Sequence, residues 1–267
     1  VWANADLFLL DEKRQPTVVA GVPPDYFSPT GQLWGNPHYN WERMRQQGFR
    51  WWVARLRKTL EQVDLVRLDH FRGFEACWEV PAGQLTAEVG RWMKVPGADL
   101  FYTLRDSLGG LPIIAEDLGL ITPEVERLRE QFGLPGMRIL QFAFSGPDNR
   151  FLPHHYERNT VVYTGTHDND TTTGWYNALS EKDRAFVHQY LPWAGQEIAW
   201  DLTRVAFASV ADYALVPLQD LLNLPSEARM NYPGRATNNW SWRFQSGQVN
   251  TALQDRLGNL TALYSRR

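Results

Sequence analysis

The sequence predicts an α/β fold of the (β/α)8 barrel type, and the first observation behind this prediction is an alternation along the chain. Short apolar runs rich in β-branched and aromatic residues are separated by longer segments of helical character. The runs lie at 64–68, 111–115, 138–144, 160–164 and 210–216. Each run is nearly continuous in apolar residues, which is typical of parallel strands that are covered on both faces by helices.

The second observation concerns the polar residues that follow three of these runs, in the stretches RLDHFRG, IAEDLG and YTGTHDND. A closed barrel and an open doubly wound sheet both bind ligands at the C-terminal ends of their strands. The doubly wound sheet usually takes a nucleotide, and the sequence has no Gly-rich phosphate-binding loop of either common type. The pattern therefore favours the barrel.

Helical segments fit between the predicted strands. The apolar residues of 39–63 recur so that most of them fall on one helical face. Thr122 and Pro123 predict a helix start, with Thr122 as the N-cap and Pro123 at the first helical position. Five strands are visible where a barrel needs eight, so we expect strands 4–8 here and the first three upstream of Val1. Residues 1–267 are then the C-terminal part of a single catalytic barrel domain.

Composition narrows the classes of partner. Lys and Arg number 27 against 30 acidic residues and form no long runs, so nucleic acid and anionic membrane surfaces are not expected partners. No apolar run approaches the roughly 20 residues of a membrane span. Cys77 is the single cysteine, so no intrachain disulfide can form, which is compatible with a reducing compartment. We therefore expect a cytoplasmic protein.

Three carboxylates occupy equivalent strand ends: Asp69, Glu116 and Asp168. Cleavage of a glycosidic bond needs two carboxylates, one to attack or stabilise the anomeric carbon and one to protonate the leaving oxygen. Taken singly, each acid is better explained as a helix cap or as the partner of a nearby arginine. Three acids at equivalent positions favour a carbohydrate-cleaving site in one cleft.

The stretches VRLDHFRGF, IIAEDLGLITPEV and YTGTHDNDTTTGW resemble those of the 4-α-glucanotransferases, called amylomaltases or disproportionating enzymes, in the α-amylase clan. Residues 21–41, GVPPDYFSPTGQLWGNPHYNW, resemble that family's long active-site loop, and RMNYPG and NNWSWR also fit. The resemblance covers nearly the whole chain. It implies retaining transfer of α-1,4-glucan segments between maltooligosaccharides or starch-type glucans, with glucose as a further acceptor and no cofactor.

Carried over position by position, the resemblance makes Asp69 the nucleophile, Glu116 the general acid/base and Asp168 the third carboxylate, which binds sugar hydroxyls. His167 matches a histidine that donates hydrogen bonds to the sugar. Arg67 lies two residues before Asp69, so both side chains point to the same face of the strand, where a guanidinium would favour an ionised nucleophile.

The remaining predicted substrate contacts lie in the 21–41 segment: Asp25, Tyr26, Trp34, Asn36, Pro37 and His38. Aromatic rings there can stack on sugar faces and keep water out, although Trp34 could instead fill a small core of the segment itself. His70 alternates to the face opposite Asp69, so a structural hydrogen bond and a ligand contact are about equally expected.

Three alternatives to a catalytic glucanotransferase stay open. The first is a metal site, but the chain lacks the His-x3-His pair that often supplies two ligands of a catalytic zinc, and we expect no metal. The second is an amylase-like hydrolase, which would give up the glycosyl group to water instead of to a sugar. The third belongs to another class and is a glucan-binding fragment without turnover.

Overall fold

The computed structural model describes residues 1–25, 28–193 and 195–266. The chain divides into two compact units, Val1–Gly136 and Met137–Arg267. Tyr26, one of the predicted substrate contacts, lies outside the described residues. The expectation of a single domain over 1–267 stays a prediction.

The first unit contains a parallel pair of strands, β3 (Val66–Leu68) and β6 (Ile113–Ala115), in which Arg67 is opposite Ile114. Both strands lie inside the apolar runs that predicted them. Helix α3 (Gly97–Leu108) lies between the two strands in the chain, and α4 (Pro123–Gln131) follows β6. Both helices share one buried core with β3 and β6. The fully buried side chains of this core include Phe71, Leu100, Phe101, Leu104 and Val125.

The helical prediction for 39–63 is correct in type and wrong in continuity. Two helices form, α1 (Trp41–Gln46) and α2 (Arg50–Leu60), and both contribute buried residues to the core. Gly48 and Phe49 adopt left-handed backbone conformations with φ of 62° and 50°, which end α1 and reorient the chain before α2. The start of α4 is as predicted, with Thr122 as N-cap and Pro123 in the first turn.

A four-stranded antiparallel sheet in this unit was not predicted. Its order is β2 (Gln32–Pro37), β1 (Val18–Val22), β4 (Ala76–Pro81) and β5 (Arg91–Lys94). The 21–41 segment, expected to be a loop, therefore includes the end of β1 and all of β2. Most residues of these strands are partly or fully exposed, so the strands lack the continuous apolar character of the barrel-type strands.

The second unit contains the sheet β7 (Gly136–Ile139), β8 (Thr160–Tyr163) and β9 (Tyr213–Leu215), in that order, with β8 and β9 parallel. The first residue of β7 belongs to the first unit. The helices are α5 (Thr172–Ala178), α6 (Glu181–Tyr190), α7 (Ile198–Ala208), α8 (Leu218–Leu221) and α9 (Thr251–Leu263). Among the described residues, none of the helices combines the length and apolar character that a membrane span requires.

Candidate active site

Asp69 follows directly on β3, where the strand ends and a 3-10 turn begins at Phe71. The spacing predicted that Arg67 and Asp69 share a face, and Arg67 Nη2 lies 2.7 Å from Asp69 Oδ1. The Asp69 side chain is 80% exposed, whereas that of Arg67 is 27% exposed. The arginine is thus the anchored partner, and it fixes one oxygen of an accessible carboxylate.

Glu116 follows directly on β6 and is held by main-chain donors. Its Oε2 accepts a hydrogen bond from the His70 amide at 2.7 Å, and its Oε1 accepts one from the Leu118 amide at 3.1 Å. Burial raises the pKa of Glu116 from 4.5 to about 7, and the charge of Asp69 also raises it, against the lowering effects of the His70 amide and Arg67. A carboxyl with this pKa is present in both protonation states near neutral pH, as a general acid/base requires.

The backbone at His70 explains how its amide reaches Glu116. His70 adopts a left-handed conformation with φ of 49° at the N-terminal end of the 3-10 turn. Its ring contacts the Trp34 ring edge-on, with centroids 4.8 Å apart. Burial lowers the pKa of His70 to about 4, so the ring is neutral at pH 7. His70 thus contacts Glu116 through its main-chain amide, while its ring packs on Trp34 of the 21–41 segment.

Residues of the 21–41 segment line a cavity of about 440 Å³ in the first unit, together with Arg67 and Asp69. Of the predicted contacts, those that line this cavity are Trp34, Asn36, Pro37 and His38. Trp34 is 44% exposed, so it does not fill a core of the segment. Its Nε1 donates to Gln32 Oε1 at 3.2 Å.

Two further residues of the segment have contacts that shape it. Asp25 Oδ1 accepts a hydrogen bond from the Ser28 amide at 2.9 Å. His38 is buried, and its Nε2 lies 3.1 Å from the Trp78 carbonyl oxygen. His38 therefore ties β2 to β4 of the antiparallel sheet.

In the second unit, Asp168 lies in the turn after β8 and is fixed at both carboxylate oxygens. Asn231 Nδ2 donates to Oδ1 at 2.6 Å, and His167 Nε2 lies 3.3 Å from Oδ2. Arg229 Nη2 donates to the Asp168 carbonyl oxygen at 2.6 Å. The Asp168 side chain is 44% exposed, so its carboxylate is accessible while its orientation is set.

The buried carboxylate of Asp220 holds the residues at both ends of the turn that carries Asp168. Asp220 Oδ2 accepts hydrogen bonds from the hydroxyls of Thr164 at 2.5 Å and Thr172 at 2.8 Å, and Oδ1 accepts one from the Thr172 amide at 2.7 Å. Burial raises the pKa of Asp220, against these hydrogen bonds. The network joins the end of β8 to the start of α5 and holds the turn between them.

Sequence reasoning did not find Arg229 and Asn231, which position Asp168 from more than 60 residues away. They lie in RMNYPG, a stretch that fits the family resemblance without any residue role attached to it. Among residues 1–25, 28–193 and 195–266, no group of three or more His, Cys, Asp or Glu side chains is arranged to hold a metal ion.

The fold and the site define an α/β protein with carboxylates at the C-terminal ends of parallel strands. The family model described as 4-alpha-glucanotransferase, Glyco_hydro_77, matches residues 1–250. The chain is 55% identical over 266 residues to a 4-alpha-glucanotransferase of Thermus thermophilus, covering 96% of this chain and 53% of the relative. It is 54% identical over 272 residues to a 4-alpha-glucanotransferase of Synechocystis sp., covering 100% of this chain and 54% of the relative. The chain belongs to the 4-alpha-glucanotransferase family.

Among solved structures, the amylomaltase from Streptococcus agalactiae in complex with acarbose matches with a TM-score of 0.95 and 39% identity, covering 99% of this chain and 54% of that one. The predicted family and the predicted fold class, part of a (β/α)8 barrel, are confirmed. The chain spans about half the length of the curated relatives it matches.

Proposed function

We propose that the protein carrying this chain is a 4-α-glucanotransferase that moves α-1,4-glucan segments between maltooligosaccharides or starch-type glucans. Glucose serves as a further acceptor. The observation that carries this proposal is the contrast between two carboxyl groups on adjacent parallel strands. Asp69 is exposed and ion-paired, whereas Glu116 is only partly exposed and has a pKa of about 7. Such a contrast separates a nucleophile from an acid/base in retaining glycoside chemistry.

In the first step, Asp69 attacks the anomeric carbon while Glu116 gives its proton to the departing glycosidic oxygen. The products are a covalent glycosyl-enzyme and a shortened glucan with a free hydroxyl. In the second step, Glu116 takes the proton from the 4-hydroxyl of an acceptor sugar, whose oxygen attacks the same carbon and releases Asp69. One α-bond is broken and one is formed, so the number of reducing ends does not change.

Asp168 is assigned to the sugar ring. Its oxygens, fixed by Asn231 and His167, are suited to accept hydrogen bonds from sugar hydroxyls and to favour the distorted ring of the transition state. His167 and Arg67 are assigned further polar contacts with the sugar.

The 21–41 segment is assigned the choice between transfer and hydrolysis. Trp34 offers an exposed indole beside the cavity that Asp69 lines, and a ring there can stack on a sugar and displace water. Asn36 and Pro37, which line the same cavity, are assigned contacts with the sugar, as is Asp25. For Tyr26, the proposed sugar contact rests on the sequence alone. We assign His38 a supporting role, because its ring is bonded to the Trp78 carbonyl.

The complete protein should be needed for turnover, because the curated relatives contain about as much chain again beyond the region matched here. A cytoplasmic location is proposed from the single cysteine, and neither nucleic acid nor membrane lipid is proposed as a partner.

The direct test is incubation of the full-length protein with maltotriose. We expect glucose, maltose and longer oligosaccharides to appear while the concentration of reducing ends stays constant. A rise in reducing ends that matches substrate loss would identify an amylase-like hydrolase. Maltotriose binding without any change in product distribution would identify a glucan-binding protein.

A further inference from the structure

Trp240 has a backbone conformation that its side chain disfavours. Its φ is 60°, in the left-handed region that bulky residues seldom adopt. Burial of the indole does not offset this cost, because Trp240 is 53% exposed. Backbone strain at an exposed aromatic residue is typical of a position kept for binding rather than for core packing.

Three contacts hold Trp240 in this conformation. Its amide donates to the Met230 carbonyl at 2.7 Å, and its own carbonyl accepts from Arg243 Nη1 at 2.8 Å. Its ring lies against the His167 ring, with centroids 5.1 Å apart and an angle of 36° between the planes. The left-handed conformation thus places the indole beside the histidine that contacts Asp168.

A small cavity of about 160 Å³ lies at this position, entirely within the second unit. Trp240, His167, Arg229 and Asp170 are among the residues that line it. One wall is therefore an aromatic ring, while the other walls carry hydrogen-bonding groups and a cation. A pyranose ring has a matching character, because its C–H faces are apolar and its edges carry hydroxyl groups.

We propose that Trp240 forms the stacking wall of a sugar-binding subsite adjoining Asp168, which takes one glucosyl ring of an α-glucan. The indole covers the apolar face of the ring, and the polar groups that line the cavity, including His167, form hydrogen bonds with its hydroxyls. This inference rests on the proposed function and adds an aromatic stacking residue to the sugar contacts already assigned to His167 and Asp168.

The test separates backbone strain from ring contact in the full-length protein. In an Asp69→Asn background, which stops turnover, maltotriose affinity is measured by isothermal titration calorimetry and stability by Tm. Trp240→Gly removes the indole and relieves the left-handed strain, so we expect about tenfold weaker binding, equivalent to about 1.4 kcal/mol, with an unchanged or higher Tm. Trp240→Tyr keeps an aromatic ring and should bind within about threefold of the parent.

Trp193→Ala is the matched control, since Trp193 is 58% exposed and does not line this cavity among the described residues. Its maltotriose affinity should equal that of the parent. Parent-like binding by Trp240→Gly would overturn the inference. A fall in Tm with a loss of binding that Trp240→Tyr does not restore would overturn it as well, because the indole would then be structural. Absence of both maltotriose binding and transfer in the unmodified protein would refute the proposed function itself.

Discussion

The raised pKa of Glu116 should make the free energy of unfolding depend on pH. The folded protein holds this proton more tightly than the unfolded chain, because the pKa rises from 4.5 to about 7 on folding. Protonated Glu116 therefore stabilises the fold at low pH, and that stabilisation is lost as the pH rises from about 4.5 through about 7. Stability falls by up to about 1.4 kcal/mol per pH unit while the pH lies between the two pKa values, so the loss between pH 5 and pH 8 amounts to about 2.5 kcal/mol.

Glu116→Gln removes the titration and nearly keeps the side-chain volume. The amide has one acceptor oxygen for the two main-chain donors, His70 and Leu118, so the variant has a constant penalty of about 1–3 kcal/mol. That penalty cancels when each protein is compared with itself at two pH values. Urea unfolding at pH 5 and pH 8 should show that the parent loses about 2.5 kcal/mol more than the variant does.

Protonation of Glu116 should also set the pH dependence of kcat/KM in the full-length protein. With maltotriose as donor, kcat/KM should fall about tenfold per pH unit above about pH 7, because the leaving oxygen needs the proton of Glu116. With α-glucosyl fluoride this alkaline limb should be absent, since fluoride leaves without a proton. The kcat/KM of Glu116→Gln for this donor, which reports the glycosylation of Asp69, should be near that of the parent. An alkaline limb shared by both donors, together with equal pH dependence of unfolding in the two proteins, would show that Glu116 is not the acid.

Three further outcomes follow from the site. Asp69→Asn should abolish transfer from both maltotriose and α-glucosyl fluoride while leaving the circular dichroism spectrum unchanged, because the amide cannot attack; measurable turnover would reject the nucleophile. Asp168→Asn should slow both donors by a similar factor, since this carboxylate acts on the ring; a loss confined to maltotriose would assign it to the leaving group instead. Trp34→Ala should raise the ratio of hydrolysis to transfer, measured as reducing ends formed per maltotriose consumed, and an unchanged ratio would exclude water shielding by the indole.

The strands that carry the carboxylates could be predicted because burial on both faces requires continuous apolar runs. β3 and β6 lie inside the runs at 64–68 and 111–115 for this reason. The antiparallel sheet was not predicted because most residues of its strands are partly or fully exposed, which leaves a weaker apolar pattern. The break in the 39–63 helix was not predicted because the apolar periodicity continues across Gly48 and Phe49. The positive φ of these two residues is not visible in the pattern.

The same distinction applies to the site. The pairing of Arg67 with Asp69 could be predicted, because residues two apart on a strand share a face. The bond from the His70 amide to Glu116 could not be predicted, since it depends on one left-handed residue after the strand. The Asn231 contact with Asp168 joins positions 63 residues apart, so no local pattern contains it.

The most direct test of the proposed mechanism is to trap the glycosyl-enzyme. In the full-length Glu116→Gln variant, α-glucosyl fluoride should load the nucleophile without an acid, and removal of the sugar should be slow because no base activates the acceptor. Rapid quenching, peptic digestion and tandem mass spectrometry should find one peptide that is heavier by a hexosyl residue, with the modification on Asp69. A sugar attached to any other side chain, or substrate consumption without any covalent adduct, would contradict the mechanism.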